Sequence, residues 1–423
     1  MPRVALVLVG ALTCATADEA ITASLASFVQ IRAQISQADQ ADGSPYSVGG
    51  AVPGKDDHAD FFLRRARFGV RFGTASKSWS GTFLLTADGA DREGASRTPA
   101  LFLTFLSRNF TDGDTRHSVQ GGLDWAFINR SAVGPNTCSL LATQRATRAL
   151  LNQRGTGIGY RLASPTVRGG IDIQNNVADS APGSINRREG LLYCARIELT
   201  PPQSTGWNLD KYQESWAGAA GQGTMFTLDA AWNQGDLSAA TLSDQDSNAF
   251  ADASGTVPTS ITGDTTTNTF CLGAEALVRR DGFVALAEIR WQRRFVRTDT
   301  NSVNGVAGSN RHARREVSSL IWLIQAGYTV QSDAISPGSA FEASARYSAI
   351  DLSREDTGET AAFGNQDHGT SGRQIEIGLT YHDDQSASTN ARGNRTGFVY
   401  TNWHAEAGRA SAHIWRLQQQ ISF

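Results

Sequence analysis

The chain has 423 residues, a formal net charge of -3 and 19% charged residues. This balance excludes a bulk basic surface of the kind that attracts nucleic acid. Beyond its first residues the chain has no run of roughly 20 apolar residues, which excludes a transmembrane helix. The four cysteines lack C-x-x-C spacing and predict neither a disulfide framework nor a zinc site.

The N-terminus has the three parts of a cleavable secretory signal peptide. One positive charge, at Arg3, precedes a short apolar stretch, and an A-x-A cleavage site ends at Ala17. We therefore predict that residues 1–17 are removed during export. Residues 18–423 show no linker or shift in composition, so they are expected to form one domain.

From Ser24 onward the chain consists of short segments in which apolar and polar residues alternate, separated by clusters of Gly, Asp, Asn and Ser. Period two is the pattern of a strand with one apolar and one polar face. In residues 62–72 the apolar face is predicted to hold Phe62, Ala66, Phe68, Val70 and Phe72, and the polar face Arg65, Arg67 and Arg71.

The same alternation recurs in residues 226–233 and 283–292. Just before the second segment, Arg279-Arg280-Asp281-Gly282 predicts a tight hairpin turn, because Asp-Gly accommodates positive φ angles. On this register four carboxylates also lie on polar faces: Glu275, Glu288, Glu342 and Glu376.

The last strand ends in an aromatic residue. Trp415, Leu417, Ile421 and Phe423 share one face of it. An alternating strand closed by a terminal aromatic resembles the signal by which outer-membrane barrels are recognised for insertion. With the signal peptide, it predicts a bacterial outer-membrane location, and a soluble secreted β-protein is the alternative.

Counting such segments predicts about sixteen strands, each near the roughly 9–11 residues that a tilted membrane strand needs. The predicted strands are 24–36, 61–74, 78–88, 99–108, 117–128, 155–163, 166–175, 190–200, 223–234, 267–280, 282–296, 317–331, 339–351, 373–383, 396–406 and 411–423. The predicted fold is therefore all-β, a transmembrane antiparallel β-barrel. An even strand count places both chain ends in the periplasm, and about fourteen or eighteen strands would also fit.

Connection lengths support this assignment, because such barrels alternate short turns with long outer loops. Short connections are predicted at 75–77, 164–165 and 281. The long connections, which alternate with the short ones along the chain, are predicted at 37–60, 129–154, 235–266, 297–316 and 352–372. The stretch 201–222 breaks the alternation. It is either an unusually long periplasmic turn or a sign that the register is wrong there.

The segment from Phe62 to Gly69, which reads F-L-R-R-A-R-F-G, is followed by Trp79 and by a strand that ends at Asp88. This pattern resembles the phosphate-selective porin O/P family. The resemblance implies a homotrimer of sixteen-stranded porin barrels. In each barrel, the third loop would fold inward and basic residues would lead anions through the constriction.

The resemblance also implies particular pore residues. Arg65, Arg67 and Arg71 would belong to an arginine ladder, and Asp88 would lie at the narrow zone. The third loop would be 129–154, with Arg145 and Arg148 facing the pore. The lysines that the family places near the constriction have no counterpart, since the three lysines of this chain lie elsewhere, at Lys55, Lys77 and Lys211.

The expected function is passive diffusion of small anions, with phosphate as the solute that the family suggests. A series of guanidinium groups offers an anion successive weak sites that replace part of its hydration shell. The alternative for each arginine is a structural ion pair with a lumen carboxylate. The alternatives for the protein are a non-selective porin and a structural or adhesin barrel without conductance.

Catalytic motifs are missing. Residues 369–372 lack the spacing of a G-x-S-x-G elbow, and no H-E-x-x-H occurs. The segment 244–248 begins like a calcium loop, but Ala249 stands where such a loop needs glycine. We predict no enzyme activity, catalytic residue, metal or cofactor. The expected partners are outer-membrane lipid, small anions and two further copies of the chain, without nucleic acid.

Overall fold

The fold is a set of long antiparallel strands. The computed structural model describes residues 20–38, 57–87, 100–128, 130, 141, 154–175, 191–202, 222–238, 261–303, 306–332, 335, 337–356, 372–383, 394–405 and 411–422. Its strands are β1 (Ile21–Leu25), β2 (Phe28–Ala38), β3 (Asp57–Thr74), β4 (Trp79–Thr86), β5 (Ala100–Asp112), β6 (Thr115–Trp125), β7 (Arg154–Ala163), β8 (Val167–Asn175), β9 (Leu191–Leu199), β10 (Gly223–Ser238), β11 (Ile261–Arg280), β12 (Phe283–Val303), β13 (Val306–Gln331), β14 (Ala340–Asp356), β15 (Gly372–His382), β16 (Arg395–Ala405) and β17 (Ser411–Ser422).

The sheet closes into a barrel. Each strand from β2 to β17 pairs antiparallel with the next one along the chain, and β17 pairs with β2. β1 and β2 both pair with β3, so they form one strand interrupted at residues 26–27. The result is a closed antiparallel barrel of sixteen strands. Each predicted strand overlaps an observed one, and the predicted fold class is confirmed.

The two rims of the barrel differ in the length of their connections. One rim, called the short-turn rim, carries the turns at 75–78, 113–114 and 281–282. It also carries the connection between β9 and β10, which are paired neighbours. The stretch 201–222 is therefore a long connection at this rim, and the predicted register around it is correct. The opposite end is called the loop rim.

The long loop predicted at 297–316 is wrong. β12 and β13 stay paired up to Val303 and Val306, so that only residues 304–305 separate them. The alternation of polar and apolar residues fades in this extension. A strand that rises beyond the bilayer needs no lipid-facing apolar side, so period two does not reveal it.

The outer face of the barrel is apolar. Strand β9 shows the rule, since Leu191, Tyr193, Ala195, Ile197 and Leu199 are exposed while the residues between them are buried. Aromatic pairs lie toward the loop rim, with ring centroids 5.4 Å apart for Tyr193 and Trp232 and 5.3 Å for Trp322 and Tyr347. The pair Phe341 and Tyr381, 5.3 Å apart, lies toward the short-turn rim. An apolar band between aromatic girdles is the outer surface of a membrane barrel.

The predicted hairpin turn between β11 and β12 is present. Asp281 and Gly282 have φ angles of 48° and 84°. Two successive residues with positive φ are the geometry of the type I′ turn, which Asp-Gly favours. The sequence of the turn therefore fixes the register of this strand pair.

One predicted face assignment is wrong. Phe62 was expected on the apolar outer side, but it is 3% exposed and lies opposite Arg32, on the inner side. The pairing of β2 with β3 shifts register here, because Gln30 lies opposite Arg65 and Ile31 opposite Leu63, with Arg64 as the extra residue of β3. Such a bulge reverses the facing of every residue beyond it.

Candidate functional site: the barrel lumen

The lumen carries the charged side chains of the strands. We identify inward positions by two criteria. One is the strand register, and the other is burial of side chains that alternate with the exposed apolar residues of the outer face. The arginines there are Arg32, Arg65, Arg67, Arg71, Arg161, Arg168, Arg196, Arg279, Arg290, Arg346, Arg395 and Arg416. The carboxylates are Asp124, Asp172, Glu198, Asp229, Glu275, Glu288, Glu342 and Glu376. Among these described positions, arginines outnumber carboxylates.

The two signs of charge occupy different parts of the wall. Six adjacent strands, β16, β17, β2, β3, β4 and β5, form what we call the arginine arc. The charged side chains described at its inward positions are all arginines: Arg32, Arg65, Arg67, Arg71, Arg395 and Arg416. Asp60 occupies the register position opposite Gln34, at the loop-rim end of the arc. The carboxylates named above all lie on strands β6 to β15.

Glutamine side chains and aromatic rings hold the arginines of the arc. Arg32 donates from Nε and Nη2 to Oε1 of Gln418, at 3.2 and 2.7 Å. Arg416 donates from Nε to Oε1 of Gln34 at 3.0 Å. The guanidinium carbon of Arg67 lies 3.7 Å from the centre of the Phe102 ring, a cation–π contact. These contacts orient the guanidinium groups of the arc.

The opposite wall, β8 to β12, is an ion-pair network centred on Arg196. Its Nη1 and Nη2 donate to the two carboxylate oxygens of Glu275, both at 2.9 Å, and Nε donates to Glu198 at 2.8 Å. Arg290 donates to both oxygens of Asp229, at 2.7 and 2.9 Å. These side chains are fully buried. Buried charges are tolerated only when they are closely paired, so this wall is structural.

The connection that follows β6 begins on this structural wall. The backbone N–H of Phe127 donates to Asp172 at 2.7 Å, and the carbonyl of Ile128 accepts from Arg196 at 2.9 Å. Arg130 lies 3.0 Å from Glu275 through Nη2, and its backbone N–H donates to the same carboxylate. The start of this connection is therefore fastened inside the barrel.

Apolar contacts support the same path. Ala126 and Ile128 pack in a buried cluster with Leu192, Cys194, Ala231 and Cys271. Further along the connection, Leu141 is 1% exposed and lies against Gly378 of β15, where an added Cβ would be 2.5 Å from its Cδ2. The connection thus touches β11 through Arg130 and β15 through Leu141, inside the lumen.

The structure brings together three of the predicted pore residues. Arg65 and Arg67 are buried on the inner side of β3, and Arg71 occupies an inward register position opposite Thr82 and is exposed. Asp88, Arg145 and Arg148 lie outside the described residues, as does the predicted signal peptide of residues 1–17. The four predicted lumen glutamates are all buried at inward positions.

Two lumen arginines were not predicted from the sequence. Arg32 and Arg196 occupy the same alternating polar positions as Asp229 and Arg290, which the alternation did place on polar faces. The alternation of their strands was a sufficient signal for facing the lumen. Which of them pair with each other was not readable, because partners such as Arg196 and Glu275 lie on strands that are not sequence neighbours.

Two other features are absent from the described residues, a metal-binding cluster and a membrane-spanning helix. No cluster of three or more His, Cys, Asp or Glu in them is placed to hold a metal ion. Within the same part of the chain, no helix is long and apolar enough to cross a membrane.

Comparison with known proteins shows a shared fold at low sequence identity. No protein-family model matches the sequence, and no curated protein matches it. Among solved structures, the outer membrane channel DcaP of Acinetobacter baumannii is 13% identical, with a TM-score of 0.52 over 95% of this chain and 97% of that one. A loop L8 deletion mutant of OmpT, an outer membrane protein of Vibrio cholerae, is 11% identical, with a TM-score of 0.51 over 95% of this chain and 100% of that one. These structures share the barrel fold with this chain.

Proposed function

We propose that this protein is an outer-membrane porin through which small anions diffuse passively, with phosphate as a candidate solute. The observation that carries the proposal is the arginine arc, a continuous part of the lumen wall whose described charged side chains are all arginines. The proposal includes export by the signal peptide of residues 1–17 and assembly as a homotrimer. It assigns pore-lining roles to Arg65, Arg67, Arg71, Asp88, Arg145 and Arg148.

The separation of charge supports an anion path along the arc. On the opposite wall Arg196 lies against Glu275 and Arg290 against Asp229, so the fields of these two arginines are largely cancelled. On the arc Arg32 lies against the neutral amide of Gln418. An anion passing the arc exchanges part of its hydration shell for guanidinium contacts, and several weak sites let it leave again.

The first test is conductance of the purified protein in planar bilayers. We expect stepwise single-channel currents, and a reversal potential in a potassium chloride gradient that shows anions passing more readily than potassium. The reversal potential in phosphate against chloride measures whether phosphate is preferred. Absence of channel steps, or a cation preference, would overturn the proposal.

The second test removes the proposed arginine ladder. The triple variant Arg65→Gln, Arg67→Gln, Arg71→Gln should lower the anion-to-cation permeability ratio, because three positive charges leave the lumen wall. A matched control removes three exposed arginines outside the lumen, Arg108→Gln, Arg280→Gln and Arg373→Gln, and should leave the ratio unchanged. Equal ratios in both triples would show that the ladder does not select anions.

A further inference from the structure

A groove runs along the outer face of the barrel where β17 meets β2. It has a volume of about 400 Å³ and is lined by outward apolar side chains that include Ala33, Ala59, Phe61, Phe398, Trp415 and Leu417. Ala33 lies between Phe61 and Leu417 in the strand ladder, so a small side chain is flanked by two large ones. Phe61 is 74% exposed and stands out from the surface. Because the groove lies in the apolar band, it faces the acyl chains of the membrane.

The outward side chains change character along these strands toward the loop rim. Beside the groove, Trp415 of β17 pairs with Tyr400 of β16, and their ring centroids are 5.5 Å apart. Two residues further along each strand, the outward positions of three adjacent strands are polar: Gln37, His413 and Asn402. Apolar, aromatic and polar rows thus follow one another in the order of the acyl, interfacial and head-group layers of a lipid leaflet.

The middle residue of the polar row is oriented by its neighbours. Nδ1 of His413 lies 2.7 Å from the hydroxyl of Tyr400 and 3.2 Å from the amide nitrogen of Asn402. An amide nitrogen can only donate, so Nδ1 accepts and Nε2 carries the ring proton. Nε2 is therefore a hydrogen-bond donor at the level of the lipid head groups. A phosphate oxygen is its best acceptor there, because hydrogen bonds to an ionised group are roughly twice as strong as neutral ones. His404, exposed on the same face and nearer the loop rim, adds a second imidazole.

We propose that this face binds one phosphate-bearing lipid of the leaflet at the loop rim. An acyl chain occupies the groove above Ala33, and the phosphate accepts a hydrogen bond from Nε2 of His413. The continuity of the groove with the polar row favours a lipid, which has an apolar chain and a polar head in one molecule. A free phosphate ion would use the polar row alone. The inference goes beyond the proposed function, because the site lies on the outer face and does not border the ion path.

The test is binding of dioleoylphosphatidic acid to the purified protein in detergent, measured by native mass spectrometry. His413→Ala removes the Nε2 donor and should weaken binding about tenfold, which corresponds to one hydrogen bond to a charged group. Ala33→Phe fills the groove and should also weaken binding about tenfold, because about two methylene groups lose their burial. Dioleoylglycerol has the same chains and no phosphate. It should bind the unmodified protein about as weakly as dioleoylphosphatidic acid binds the His413→Ala variant.

Two matched controls make similar chemical changes elsewhere on the outer face. Gln419→Ala removes an exposed polar side chain at the other end of β17, near the short-turn rim. Ala276→Phe adds an aromatic ring at an outward position of β11, on the far side of the barrel. Both should leave the affinity for dioleoylphosphatidic acid unchanged. Heat-modifiable migration in gels checks that each variant is a folded barrel, and Ala59→Phe fills the same groove if Ala33→Phe does not fold.

Weaker binding in His413→Ala and in Ala33→Phe, with both controls unchanged, supports the inference. Equal affinity for the two lipids, or an unchanged affinity in His413→Ala, would show that no phosphate is recognised and would overturn it. The same spectra report the number of copies in the particle. If Ala33→Phe reduces that number and leaves the lipid affinity unchanged, the groove is a contact between copies of the chain, which also overturns the inference. Conductance is a separate measurement, so a protein that binds the lipid and conducts no anions overturns only the proposed function.

Discussion

Neutralising Glu275 should strongly destabilise the barrel. Its carboxylate accepts two hydrogen bonds from Arg196, both at 2.9 Å, and it contacts both the side chain and the backbone N–H of Arg130. The side chains of all three residues are almost completely buried. The substitution Glu275→Gln keeps the volume of the side chain and removes the charge that two buried guanidinium groups share.

The expected loss is about 3–5 kcal/mol of the free energy of unfolding, the usual cost of removing one partner from a buried ion pair. The measurement is equilibrium unfolding in guanidinium chloride from lipid vesicles, followed by tryptophan fluorescence. The same variant should show noisier single-channel current, because Arg130 and Ile128 lose part of the network that fastens the connection after β6 to the wall.

A matched control removes one carboxylate charge from an exposed ion pair. Asp281 pairs with Arg280 at 3.4 Å, and the two side chains are 69% and 78% exposed. Asp281→Asn should therefore cost about 0–1 kcal/mol. A loss of stability in Glu275→Gln as small as that in the control would refute the network as a structural anchor. It would show that solvent or other groups replace the missing charge.

Two further predictions use the same unfolding assay. Leu228 is 61% exposed in the middle of the apolar band. Leu228→Arg should therefore lower the free energy of unfolding by about 2–4 kcal/mol, against about 0–1 kcal/mol for Thr224→Arg near the short-turn rim. Equal losses would contradict a lipid-facing position for Leu228. At the β11–β12 turn Gly282 has a φ of 84°, and an added Cβ would be 2.7 Å from the carbonyl oxygen of Thr329. Gly282→Ala should therefore cost about 1–2 kcal/mol, and more than Gly113→Ala, since an added Cβ at Gly113 has no neighbour within 4 Å; the reverse order would refute the contact with Thr329.

The sequence was sufficient to predict the strands and their facing. Each strand crosses the bilayer with one side facing lipid, where only apolar side chains are tolerated. Apolar residues such as Leu228, Ala230 and Trp232 therefore alternate with polar ones along the strand. The same alternation assigned Arg65, Arg67 and the four lumen glutamates to the polar side. The prediction failed in the extension of β12 and β13, where the strands no longer face lipid. It also failed at Phe62, whose facing is reversed by the bulge beside Arg64.

Tertiary structure decided which lumen charges cancel. A strand pattern gives the facing of Arg32 and of Arg196 equally well, because facing depends on neighbours two residues away. Their partners lie far along the chain, Gln418 for Arg32 and Glu275 for Arg196. Closure of the barrel, which brings β17 beside β2, places Gln418 against Arg32, and the pairing of β9, β10 and β11 places Glu275 against Arg196. The sequence therefore determined that the lumen is charged, and the pairing of the strands decided which side chain lies against each charge.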